Sequence, residues 1–272
     1  MRRILAPFAL LLGLTAAAAA QTGSDAARVD LELVLAVDIS YSMDGDELAL
    51  QRDGYIRAIT SKEVVDAIRQ GAYGRIAIAY VEWAGQAQQN VLIPWQVIDG
   101  PETAQAFADK LAEAPTNRAY RTSIGAALDF SARQFDTNAY EGTRRVIDIS
   151  GDGPNNQGPS VPRIRDKIVA QGININGLPL ILKEPNAWTL DVTNLEDYYR
   201  ECVIGGPGAF VIPVETRERF AEAIRTKLVL EVSGLEPRPR FMPAQERPKV
   251  NCYVGEQLWR DRYGDGPSSD WQ

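Results

Sequence analysis

Histidine is absent from all 272 residues of this chain. That single gap removes Ser-His-Asp and Cys-His catalysis, together with every metal site that relies on imidazole. Cysteine is nearly absent, with only Cys202 and Cys252. Beyond the N-terminus, no apolar run approaches the length of a membrane-spanning helix. Positive charge is in deficit, 29 Lys and Arg against 36 Asp and Glu, for a net charge of −7.

The one long apolar stretch lies at the start. Arg2 and Arg3 precede an apolar run from Ile4 to Leu14, followed by Ala16 to Ala20 and then Gln21. A basic start, a short apolar centre and small residues at the exit predict a signal peptide over residues 1–20 and a short linker over 21–28. The run is too short and wrongly flanked for a transmembrane anchor. The expected location is therefore periplasmic or secreted, by a Gram-negative type of signal. Cleavage after Ala20 removes two arginines and no acids, so 27 basic residues face 36 acidic ones and the net charge becomes −9. That balance opposes nucleic acid and anionic membrane as partners and suits cation binding. In an oxidising compartment Cys202 and Cys252 are candidates for a structural disulfide, with two separate buried thiols as the alternative.

What is present reads as alternating strands and helices. Val29 to Val37 is a near-continuous apolar run, the pattern of a central parallel strand covered on both faces. A helix follows, with Leu48, Tyr55, Ile56 and Ile59 on one face, and Thr60 with Glu63 is spaced as a capping box for the next. Residues 75–84 and 90–97 read as a hairpin, placing one antiparallel strand at the sheet edge. Helices are expected over 102–114, from Ile124 to about Phe135, over 161–170, 195–202 and 217–230. Strands are expected over 144–150, 174–182 and 209–214. The sum is an α/β fold: a doubly wound, mostly parallel six-stranded sheet with one antiparallel edge strand and helices on both faces. The main domain spans 29–234. From Leu235 the prolines Pro237, Pro239, Pro243 and Pro248 punctuate an extension over 235–272 that is expected not to be helical and, if the disulfide forms, to be tethered by it.

The chemistry gathers at strand ends. Asp38, Ser40 and Ser42 alternate just past the first strand, so an extended backbone sends all three side chains to one side. The plain alternative is a turn whose hydroxyls cap the next helix. Asp152, in Gly151-Asp152-Gly153-Pro154, ends another strand, and Thr122 lies in the loop entering the Ile124 helix, where Thr122 or Ser123 could equally be its cap. Open parallel sheets bind ligands beyond the carboxyl ends of their strands, where strand order reverses. Two carboxylates and three hydroxyls meeting there make an oxygen site suited to Mg²⁺ or Mn²⁺.

Asp38-Ile39-Ser40-Tyr41-Ser42, Thr122 three residues before Gly125, and Asp152-Gly153 together resemble the metal-ion-dependent adhesion site of von Willebrand factor A domains, over about residues 29–234. Within that group the chain is most similar to secreted bacterial A-domain proteins without an assigned function. The resemblance implies Ser40, Ser42 and Thr122 as hydroxyl ligands, with Asp38 and Asp152 bound directly or through water. Two positions depart from the family pattern: Tyr41 stands where glycine is common, and Gly151 where threonine is frequent. Neutral hydroxyl ligands leave an ion electrophilic, so it gains from one more anionic ligand.

The expected function is an exported, metal-dependent protein-binding module that takes an Asp or Glu carboxylate of a partner protein, with Tyr41, Tyr120 and Arg121 as a partner-binding rim. The alternative is a metal-dependent hydrolase using the same cation, which needs a base from Asp38, Asp152 or the Asp44, Asp46, Glu47 cluster. A calcium loop of EF-hand type fails, because Met43 stands where glycine is required and Ala49 where a bidentate Glu is expected.

Overall fold

The computed structural model describes residues 26–183, 192–235 and 250–264; the expected signal peptide and the end of the tail lie outside them. Five strands form one sheet in the order β3-β2-β1-β4-β5. Strand β1 (Ala27–Asp38) occupies the centre, paired in parallel with β2 (Ile76–Trp83) on one side and β4 (Tyr140–Gly151) on the other. Strand β5 (Ile173–Pro179) extends the sheet in parallel beyond β4, and β3 (Gln89–Ile98) closes the other edge antiparallel to β2.

The apolar alternation of β1 divides between two cores. Leu31, Leu33, Leu35 and Val37 face helices α1 (Gly45–Ile59), α2 (Lys62–Arg69), α3 (Pro101–Glu113) and α7 (Phe220–Ser233). Val34 and Ala36 face α4 (Ile124–Gln134), α5 (Val161–Val169) and the short α6 (Leu195–Tyr198), which runs on into a π turn over Tyr199–Val203. Burial of both faces explains why β1 reads as an unbroken apolar run.

Three expectations need correction. The segment 209–214 lies beside β5 but forms only isolated bridges, Gly177 to Val211 and Leu180 to Val214, so the sheet has five strands instead of six. The cause is legible in the bonds: Gly177 N–H donates to Phe210, Ile212 N–H to Gly177, Val214 N–H to Pro179 and Ile181 N–H to Val214. The bond that would join these pairs needs an N–H at position 179, where proline has none. Second, the tail does contain a helix, α8 (Val254–Tyr263). Pro237, Pro239, Pro243 and Pro248 precede this helix and Pro267 follows it, so an extension judged by overall composition hid a proline-free helical stretch. Third, Ser61 and not Thr60 caps α2, accepting from Val64 N–H at 3.4 Å, while the Thr60 hydroxyl donates to the Ile56 carbonyl at 2.8 Å and closes α1.

Cys202 and Cys252 form a disulfide, with their Cα atoms 5.5 Å apart. It fastens the tail to the π turn just ahead of α8, and Val250, Cys252 and Val254 pack on the core of that face.

Candidate metal site

Strand order reverses between β1 and β4: from β1 the chain goes first to β2, and later crosses to the opposite side to build β4. Val37 pairs with Ser150, so Asp38 and Asp152 leave neighbouring strands at the same end of the sheet. The backbone of Asp38 continues straight enough for Ser40 to bridge Ala119 in parallel, and the Ala119 and Tyr41 N–H groups donate to Ile39 and Ala119 across that bridge. The 118–122 loop is thereby laid along the Asp38–Ser42 segment.

A short polar chain connects these residues. The Ser42 hydroxyl donates to Asp152 Oδ1 at 2.6 Å, and Ser40 Oγ lies 2.7 Å from Ser42 Oγ. With the Ser42 proton given to Asp152, Ser40 is the donor in the second bond. Asp38 Oδ1 accepts the Ser40 N–H at 2.7 Å. Thr122 is buried beside them. Its N–H donates to Asn156 Oδ1 at 3.0 Å, and its carbonyl accepts from Asn156 N–H at 2.9 Å, which ties the Thr122 loop to the Asp152 loop. Ser123 holds the N-cap position of α4, but its hydroxyl donates to the Gln157 carbonyl, so neither Thr122 nor Ser123 supplies a side-chain cap. Asp44 caps α1 instead, in a reciprocal capping box with Glu47.

The donor set fits a hard divalent cation. Asp38 is wholly buried, and its Oδ2 has no hydrogen-bond partner among the described residues. Burial pushes its pKa well above the usual carboxylate range, and repulsion from Asp152 adds to that, against the pull of the Ser40 N–H. Such an acid is costly unless a positive charge arrives. Space is reserved as well: a Cβ added at Gly151 would lie 2.8 Å from Asp38 Oδ2 and 2.9 Å from the Tyr199 hydroxyl. Gly151, where the A-domain pattern often has threonine, is thus the residue this crowded floor permits. Beneath it, Gln51 donates to Ser150 Oγ at 3.1 Å, and Tyr55 leans on the same oxygen at 3.4 Å. Among the described residues no group of three or more His, Cys, Asp or Glu side chains is placed to hold a metal ion. A cation held by Asp38 and Asp152 would therefore find its remaining side-chain ligands among the hydroxyls of Ser40, Ser42 and Thr122.

A family model described as a protein of unknown function, DUF1194, matches residues 28–236. The chain belongs to this family. No curated protein matches it. Among solved structures, the fold is that of a von Willebrand factor A domain. Proximal thread matrix protein 1 from the mussel byssus, in a form with a zinc-occupied MIDAS motif, superposes with a TM-score of 0.56 at 13% identity, covering 76% of this chain and 49% of that one. A von Willebrand factor type A protein from Catenulispora acidiphila gives 0.51 at 13% identity, covering 75% and 43%. The pilus adhesin SpaC from Lactobacillus rhamnosus GG gives 0.52 at 10% identity, covering 76% and 31%. The chain thus spans about half the length of the mussel protein or less of these neighbours.

Next to the oxygen cluster of this DUF1194 chain come the three residues expected to form a rim: Tyr41 lies between Ser40 and Ser42, and Tyr120 and Arg121 directly precede Thr122. Tyr41 and Tyr120 stack with ring centroids 4.4 Å apart, and Tyr120 is 74% exposed. Arg118 lies over the Tyr41 ring at 4.6 Å and donates to the Tyr41 and Met43 carbonyls. Arg121 adopts φ 77°, a left-handed conformation that costs a non-glycine residue on the order of 1 kcal/mol. Its guanidinium sits 3.1 Å from the centre of the Trp259 ring on α8. An open hollow of about 760 Å³ is lined by Tyr41, Tyr120, Arg118, Arg121 and three glutamines, and by no acid. Sequence reasoning missed Arg118, Asn155, Asn156 and Trp259. The Asn pair directly after Asp152-Gly153-Pro154 is a readable signal for a hydrogen-bonded loop; nothing local points to Trp259.

Proposed function

We propose that this chain is an exported binding module in which Asp38, Ser40, Ser42, Thr122 and Asp152 hold a divalent cation that takes a carboxylate from a partner protein. The observation that carries the reading is the convergence of Asp38, Ser40, Ser42 and Asp152 through contacts of 2.6–2.7 Å at the switch point of the sheet, with the Thr122 loop tied beside them. When bound, the ion supplies an electrophilic position for an added anionic ligand. Oxygen donors alone favour Mg²⁺ or Mn²⁺, and the zinc at the MIDAS motif of the mussel neighbour supports a divalent ion of some kind. Tyr41, Tyr120 and Arg121 provide the rim, and the acid-free lining beside them suits an acidic partner surface. Among the described residues no helix is long and apolar enough to cross a membrane.

The hydrolytic alternative needs a base next to the ion. Asp44 and Glu47 are engaged in the α1 capping box, and Glu47 also pairs with Lys183 at 2.5 Å. That engagement favours binding over catalysis. The test is affinity capture from the exported proteins of the source cells, with the wild type, Asp38→Ala and Asp152→Ala, in Mg²⁺ and in EDTA. Retention of a partner in Mg²⁺ only, and by the wild type only, is expected. A partner held equally well in EDTA overturns the adhesion mechanism, and metal-dependent turnover of phosphate or ester substrates moves the assignment to hydrolysis.

A further inference from the structure

Asn155 stands three residues after Asp152 and is completely buried. Each of its hydrogen-bonding groups but the carbonyl meets a different part of the molecule. Its backbone N–H donates to the Tyr198 hydroxyl at 3.2 Å, its Oδ1 accepts the Gly125 N–H at 3.2 Å, and its Nδ2 donates to Glu256 Oε1 at 2.7 Å. Gly125 opens the helix that Thr122 leads into, and Glu256 belongs to α8. One side chain therefore joins the Asp152 loop, the Thr122 loop and the C-terminal helix. Backbones meet there too: a Cβ at Gly255 would collide with the Asn155 carbonyl oxygen.

A second contact is independent of the first. Arg121, immediately before Thr122, is held in its left-handed conformation with its guanidinium against Trp259, and Trp259 stacks on Tyr263 at 4.2 Å. The other end of α8 is fixed by the Cys202–Cys252 disulfide and by the Tyr253 hydroxyl 3.1 Å from Ser160 Oγ. Burying the Glu256 carboxylate against Asn155 carries a desolvation cost, which the contact must offset.

We propose that α8 is a positioning element of the cation site: through Glu256 on Asn155 and Trp259 on Arg121, the disulfide-fastened tail holds the Thr122 and Asp152 loops in ligand geometry. The inference rests on the cation-site reading above. Outer residues that orient metal ligands act this way, and removing one costs about tenfold or more in metal affinity.

Amide hydrogen exchange of the metal-free mature chain and calorimetric Mg²⁺ titration test it together. In Trp259→Ala and Glu256→Ala, exchange rises at residues 121–125 and 152–157 while β1 and β4 keep their protection, and Mg²⁺ affinity falls about tenfold. Trp259→Phe, which keeps an aromatic face, and Glu256→Gln, which keeps an acceptor oxygen, restore both. Unchanged loop exchange in the two alanine variants overturns the proposal. So does loosened exchange with wild-type Mg²⁺ affinity, or a loss of protection that spreads equally through β1 and β4. A wild type that takes up no Mg²⁺ sinks the cation-site reading instead, and the exchange arm then decides by itself whether α8 holds the loops.

Discussion

Asp38 and Asp148 are both buried carboxylates, on the adjacent strands β1 and β4, yet the chain treats them in opposite ways. Asp148 has its cation built in: Lys227 Nζ of α7 lies 2.7 Å from its Oδ1, and the same ammonium pairs with Glu231 one turn further along the helix. Asn176 adds a bond to Glu231 at 3.0 Å, and the Phe210 ring lies 5.4 Å from the ammonium. Burial still pushes Glu231 up to about 7 and raises Asp148, against the pull of Lys227 in each case. Asp38 has no such partner. It makes no ion pair among the described residues, and what surrounds it is hydroxyls, a backbone N–H and a second acid. Inside the core the chain supplies its own cation; at the strand ends Asp38 has none among the described residues.

The comparison breaks most easily at Lys227. Lys227→Met would strand Asp148 and Glu231 in the core without a positive charge, and breaking a buried pair in this way costs about 3–5 kcal/mol. Urea denaturation should show that loss. Replacing Lys227, Asp148 and Glu231 together by apolar residues of similar volume should recover most of it, because no charge is then left unpaired. A cost for Lys227→Met below about 1 kcal/mol, the range of exposed pairs, would mean that the cluster is open to water and no contrast to Asp38.

Asp38 itself sharpens the contrast. In Asp38→Asn the buried charge disappears, so the metal-free protein should melt higher than the wild type, and its response to Mg²⁺ should vanish. The wild type should gain about 2.7 kcal/mol at a Mg²⁺ concentration one hundred times its dissociation constant. Asp148→Asn should do the reverse in the metal arm, keeping the full Mg²⁺ response, because Asp148 already has Lys227 beside it. Thermal unfolding of the three proteins with and without Mg²⁺ checks both halves, and equal Mg²⁺ shifts in wild type and Asp38→Asn would remove Asp38 from the site.

How much of this was readable beforehand depends on the range of the interactions. The apolar run of β1, the hairpin before Gly100 and the alternation of Asp38, Ser40 and Ser42 are local patterns, and each appears in the structure where the residues place it. The sixth strand fails for a reason that is also local in kind but divided between two segments: the proline that interrupts it is Pro179, some thirty residues before the strand it interrupts. The helix α8 was hidden by averaging over a proline-rich tail. Asn155 reads locally as a loop asparagine, but its linking role was illegible, because that comes from Gly125 and Glu256, and Glu256 lies 101 residues away. Patterns of period and spacing point to the candidate ligands; what holds those residues in place is a tertiary matter.

The smallest expected effect is at Tyr41, which tests whether rim and floor are separate. Its ring lies against Tyr120 and under Arg118, but its backbone runs between Ser40 and Ser42, so the side chain points away from the hydroxyl chain that those two residues form. An exposed aromatic pair contributes about 0.5–1.5 kcal/mol, and an exposed cation–π contact about 0.5–1 kcal/mol. Tyr41→Ala should therefore lower stability by about 1 kcal/mol, while the Mg²⁺-induced shift stays at its wild-type size. Tyr41→Gly, the residue common at this position in A domains, would add backbone freedom next to Ser40 and Ser42, so a reduced Mg²⁺ shift there, against an unchanged one in Tyr41→Ala, would assign the effect to backbone and not to the ring. If Tyr41→Ala abolishes the Mg²⁺ shift, the aromatic stack is part of the cation site and the separation of rim from floor is wrong.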